Sequence, residues 1–125
     1  MRASVTSSQL AEQSVLTVTG DVDFGLAPYV GTPLLDALAP GSGSRGVVVD
    51  LSAVNYVDSM GLSVLVHAAS LAARERREFS LVLDGNRRLE KLLRMTGLTD
   101  AFAVHDTLAA ALGTAVDDDL DAVPA

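Results

Sequence analysis

The sequence predicts an α/β fold: a mixed, mostly parallel sheet of four to five strands packed with about four helices. Two observations carry that prediction. After an opening pair of strand-like segments, strand and helix patterns alternate along the chain, which is the order that parallel strands with helical crossovers require. Val47-Val48-Val49 and residues 79–83 also read as strands buried on both faces, as the centre of such a sheet must be.

The elements follow in order. Residues 3–8 alternate small and polar side chains and suit an edge strand. Residues 15–19 are rich in β-branched residues and close at Gly20. Asp21-Val22-Asp23 is expected as a short acidic loop. From Ala27 to Leu38, Val30, Leu34, Leu35 and Leu38 recur at helical spacing, with Pro33 expected to kink the helix or mark its start. Residues 40–44, Pro-Gly-Ser-Gly-Ser, read as a flexible connection. The next strand is expected to end at Asp50, and a loop to lead to Asp58. Residues 60–76 show the longest helical pattern, with Leu62, Leu65, Ala69 and Ala72 on one side. Asp84-Gly85-Asn86 stops the strand at 79–83, and a helix with Leu89, Leu92 and Leu93 apolar follows, closed by Gly97. Residues 102–104 suit a last short strand. Asp106 or Thr107 then caps a helix that runs through Leu112.

Composition narrows the function. A chain of 125 residues suits one domain, expected over residues 1–115, followed by an acidic flexible tail at 116–125 that carries Asp117-Asp118-Asp119. No apolar run approaches the roughly 20 residues that span a bilayer, and the first residues lack the apolar core of a signal peptide. Cysteine is absent, which excludes disulfides and thiolate metal sites, and the cytoplasm is the most economical compartment. A net charge of −7 repels nucleic acid and anionic membranes, so neither is expected as a direct partner. The basic residues from Arg74 to Arg88 read as a solvated face. Ser59, His67 and several aspartates are the raw material of a hydrolase. His67, however, lies two helical turns from Ser59, roughly 12 Å along the axis, and an isolated pair of histidines makes no metal site. An enzyme and a cofactor are therefore not expected.

The informative segment runs from Val47 to Leu62. It places Asp58-Ser59 at the start of the long helix, where either side chain can accept from the free amides of the first turn. Gly61 in that turn is expected to leave backbone open to another molecule. On local pattern alone a plain helix cap is the commoner arrangement. A phosphate on Ser59 has its own physics: it adds roughly 1.5 to 2 negative charges at pH 7, and helix N-terminal amides stabilise that charge.

Three stretches here, in order and at matching spacing, resemble the STAS-domain proteins of the anti-sigma-factor-antagonist family. They are Gly20-Asp21-Val22-Asp23, Asp50-Leu51-Ser52 through Asp58-Ser59-Met60-Gly61-Leu62, and Leu92 to Leu98 with Phe102 and Asp106 after it. The resemblance covers about residues 15–112 and implies a STAS-type sandwich. It further implies that the unphosphorylated protein binds an anti-sigma factor that is also a serine kinase of the histidine-kinase-like ATPase type, and so releases a sigma factor. Phosphorylation of the serine at the start of the second helix, Ser59 here, ends that binding, and a PP2C-type phosphatase reverses it. Asp21, Asp23, Asp58, Ser59, Met60 and Gly61 fall in the implied partner-binding region. Many relatives carry a second Ser or Thr where this chain has Met60, which puts a large apolar side chain beside the site. The alternative within the same fold is a ligand-sensing or scaffold module in which Ser59 is only a cap.

Overall fold

A computed structural model describes residues 4–22, 27–39 and 42–113. The chain forms β1 (Ser4–Leu10), β2 (Gln13–Val22), α1 (Ala27–Leu38), β3 (Gly46–Val57), α2 (Ser59–Arg74), β4 (Glu78–Val82), α3 (Arg87–Met95), a short 3-10 turn (Thr99–Ala101), β5 (Ala103–His105) and α4 (Leu108–Leu112). The sheet order is β1-β2-β3-β4-β5, antiparallel between β1 and β2 and parallel thereafter. The mixed sheet with helical crossovers is the architecture expected from the alternation of elements.

Side-chain alternation sorts the core into two layers. Leu16, Val18, Val47, Val49 and Leu81 pack against Leu34 and Leu38 of α1, Leu62 and Leu65 of α2, and Leu89 and Leu93 of α3. On the opposite face, Val15, Val48 and Val82 pack against Ala111 and Leu112 of α4. β3 is covered on both faces, which is why Val47, Val48 and Val49 are all apolar. Gly46 starts this strand because a Cβ there would lie 2.6 Å from the Glu78 carbonyl oxygen of β4.

Several boundaries differ from the sequence expectation, each for a local reason. β1 and β2 are longer because they are joined by a two-residue turn at Ala11 and Glu12, both with positive φ (52° and 65°). Such a turn normally selects Asn-Gly, so nothing in Ala-Glu signals it. Replacing this pair by Ala11→Asn with Glu12→Gly is expected to raise stability by about 1 kcal/mol, by relieving the left-handed backbone. The urea midpoint is the measurement, and an unchanged midpoint would count against the turn geometry.

At its other end β2 runs on through Asp21 and Val22, which pair with Tyr56 and Val57. These residues belong to a strand and not to the expected loop, while Asp23 lies outside the described residues, as does the tail at 116–125. α1 starts at Ala27 and passes through Pro33, so the proline does not mark the helix start. The Ser-Gly-Ser part of the α1–β3 connection is fastened. Arg77, which is half-buried, donates to the carbonyls of Ala37 and Ser44 and to Ser42 Oγ (2.6 Å). Arg77 thus leaves the solvated basic face in which its sequence placed it and acts as a clamp at the pole of the sheet where β3 begins.

The largest correction concerns β3. It does not stop at Asp50 but continues to Val57. Two irregularities interrupt its pairing with β2. Thr17 pairs with Asp50 and Thr19 with Ala53, and Gly20 pairs with Val54 and Asp21 with Tyr56, so β3 holds one extra residue at each step. Each bulge shifts the inward positions, and burial passes from Leu51 to Val54 to Val57. That spacing of three hides the strand from a search for alternation.

Candidate functional site

The candidate site stands at the end of this irregular overhang. β4 pairs with β3 only as far as Asp50, opposite Val82. Beyond that point the β4 side of β3 has no ladder, and side chains take over the hydrogen bonding. Asp50 Oδ1 accepts from the Ser52 N–H (3.0 Å) and the Ser52 hydroxyl (2.6 Å), which holds the first bulge. Asn86 Nδ2 donates to the carbonyls of Leu51 (2.9 Å) and Val54 (2.8 Å), while its Oδ1 accepts from the Leu89 N–H and caps α3. One amide therefore fixes the overhang to the start of a helix. Read from sequence, Asn86 has only a strand-stopping role. Its position after Gly85 was visible, but the carbonyls it satisfies become orphans only when the strand overshoots its neighbour.

Val57 anchors the tip of the overhang in the core and α2 begins at Ser59. Of the two candidate caps, Asp58 is the one used. Its backbone is extended (φ −87°, ψ −175°) and Oδ1 accepts from the Gly61 N–H at 2.9 Å. Ser59 is thereby left free: it is exposed and, among the described residues, its hydroxyl has no hydrogen-bond partner. The amides of Ser59 and Met60, in the first helical turn, have no intrahelical acceptor. Asp58→Ala is expected to cost about 1 kcal/mol of stability through loss of the cap, whereas Asp58→Asn should leave it nearly unchanged. Equal thermal midpoints for the two variants would exclude a capping role.

The other expected site residues are placed unevenly. Met60 is 53% exposed beside the serine, and Tyr56, which sequence reasoning passed over, is 54% exposed on its other side. Gly61 is buried and does not open the backbone to a partner. It falls on the inward stripe with Leu65, Ala68 and Ala72. Asp21 has its backbone in β2 without a described side chain, and Asp23 is not described. A cleft of about 240 Å³ runs from Met60 between α1 and α2, lined also by Leu34, Leu35, Ser63, Val64 and His67. His67 faces this cleft two turns along α2 and is not hydrogen-bonded to Ser59. Among the described residues no group of three acidic or histidine side chains could hold a metal, and no helix is long and apolar enough to cross a membrane.

The fold that holds out this exposed, unbonded serine has known relatives. The STAS domain family model matches residues 4–111. An anti-sigma-B factor antagonist of Listeria monocytogenes is 37% identical over 92 residues, which span 71% of this chain and 75% of that protein. The crystal structure of an anti-sigma factor antagonist from Mycobacterium paratuberculosis superposes with a TM-score of 0.79 at 27% identity, covering 90% of this chain and 92% of that one. The Bacillus cell fate determinant SpoIIAA in its phosphorylated form shares the fold, with a TM-score of 0.68 at 14% identity, over 88% of this chain and 97% of its own. By its sequence from β1 to α4 and by its sheet, the chain belongs to the STAS-domain family of anti-sigma factor antagonists.

Proposed function

We propose that this chain is a partner switch set by Ser59. In the unmodified state it binds and sequesters an anti-sigma factor that carries a serine-kinase domain of the histidine-kinase-like ATPase type, and a sigma factor is released. The partner phosphorylates Ser59 and binding ends, and a PP2C-type phosphatase restores the active form. The observation that carries this reading is the free Ser59 hydroxyl. Asp58 already caps α2, so Ser59 has no structural hydrogen bond to lose. Met60 and the α1–α2 cleft beside it supply apolar contact area at the same surface. The family pattern assigns Asp21, Asp23 and Asp58 to the partner-binding region, and basic side chains or a Mg-bound nucleotide would meet these carboxylates.

The chemistry of the switch is charge at an interface. The phosphate brings roughly 1.5 to 2 negative charges to a surface fitted to a neutral hydroxyl. The free amides of the first turn and the helix dipole offset that charge within the protein, so the fold persists while the partner is expelled. No refolding is needed. The phosphorylated relative SpoIIAA, with the same fold, is consistent with a phosphate being tolerated by this architecture.

The test is a pull-down from lysate of the source organism with wild type, Ser59→Ala and Ser59→Asp, the bound proteins being identified by mass. Wild type and Ser59→Ala should retain a protein with an ATPase-type kinase domain, and Ser59→Asp should not. Identical captures by all three, or no capture by any, would sink the switch and transfer the site to a scaffold or ligand-sensing role.

A further inference from the structure

Helix α3 has a charge that the rest of the chain does not share. The chain carries a net charge of −7, yet four of its nine cations, Arg87, Arg88, Lys91 and Arg94, stand exposed on this one helix. Glu90 is its sole carboxylate. Among the described residues the one ion pair is Arg45 with Glu78, and none of the four cations has one. Arg87 and Lys91 are four apart, and Lys91 and Arg94 three apart, spacings at which like charges on a helix repel. Glu90, three residues after Arg87 and four before Arg94, is the only carboxylate on the helix to offset that repulsion.

Beside it lies an open groove of about 400 Å³ between α3 and the overhang of β3. Tyr56 and Arg88 stand on its walls, both exposed, with Leu89 and Leu92 among its apolar lining. Tyrosine and arginine around an aliphatic slot is the composition that dominates binding energy at protein interfaces. We propose that this groove and the cationic face of α3 dock an acidic segment of a protein partner that carries an aliphatic anchor. The anchor enters between Tyr56 and Leu92, and flanking carboxylates meet Arg88, Arg87 and Lys91. A polyanion such as RNA or an anionic bilayer fits less well. The remainder of this acidic chain repels an extended negative surface, and phosphates leave the apolar slot unused. The proposal stands apart from the Ser59 reading, since it needs no modification of the chain.

The probe is a short synthetic peptide of glutamates flanking a single leucine, titrated into isotope-labelled protein and followed by amide chemical shifts. Saturable shifts centred on Tyr56, Arg88 and Leu92 are expected, with affinity falling as salt is raised. Arg87→Glu with Arg88→Glu should weaken binding at least about tenfold, and Tyr56→Ala several-fold. Glutamates in the first turn of a helix favour its dipole, so this double variant keeps α3 folded and its loss of binding is not a loss of structure. No saturable shift, equal affinity for the double variant, or equal affinity for a peptide without leucine would each overturn the proposal. Tighter binding of single-stranded RNA or anionic vesicles at the same resonances would also overturn it and reassign the surface.

Discussion

Ser59→Asp is expected to weaken binding of the anti-sigma partner by about a hundredfold or more while leaving the thermal midpoint unchanged or slightly raised. The two halves of this result come from opposite effects of one charge. At the interface, a carboxylate buried without a partner costs roughly 2 to 5 kcal/mol, and each 1.4 kcal/mol is about tenfold in affinity. Within the protein, a carboxylate in the first turn of α2 sits at the favourable end of the helix dipole and gains about 0.3 to 1 kcal/mol. Calorimetric titration against the purified partner and a melting curve of the free variant read the two quantities separately. Lost binding together with a sharply lower midpoint would mean that the variant had unfolded α2, and the electrostatic account would then fail. Ser59→Ala should bind like wild type, because among the described residues the hydroxyl makes no hydrogen bond that its removal could break.

The second large effect is at Asn86. Asn86→Ala removes the donor to Leu51 and Val54 and the cap of α3 in one step. A lost cap costs about 1 kcal/mol, and each carbonyl left without a donor away from water adds about 1 kcal/mol or more. A total of about 3 kcal/mol follows, or a fall in the midpoint on the order of 10 °C for a domain of this size. Asn86→Ser separates the contributions. Its hydroxyl can still cap α3 while the two donations are lost, so it should recover about 1 kcal/mol of the loss. If the alanine variant melted within a degree or two of wild type, the overhang would have to be held by the β2 ladder alone.

These two residues also mark what could be read from sequence. Ser59 and Asp58 were legible because capping is local: an Asp-Ser pair before a helical pattern carries its chemistry in adjacent residues. The order of elements was legible because Val47 to Val49 and the leucines of α2 and α3 keep their periods. The course of β3 after Asp50 was not, since two bulges replace the period of two by steps of three. The β1–β2 turn was hidden because Ala11 and Glu12 adopt positive φ without the residues that advertise it. By type alone, Asn86 is a turn residue and Arg77 a surface cation. Their hydrogen bonds span more than thirty positions in the chain, to Leu51, Val54, Ala37, Ser42 and Ser44. Such contacts exist only once the sheet is assembled.

The paired bulges of β3 also constrain how this protein can change length. Deleting Asn55 would remove the second bulge and restore plain alternation, with Val54 and Val57 still inward and Tyr56 still outward. Deleting Val57 would instead withdraw the anchor beneath Asp58. The stretch from Asp50 to Ser59 should therefore accept substitutions at Ala53 and Asn55, which are exposed, and even the loss of Asn55, far more readily than the loss of Val57. The inward steps at Leu51, Val54 and Val57, more than the exact length, are what this segment must inherit unchanged.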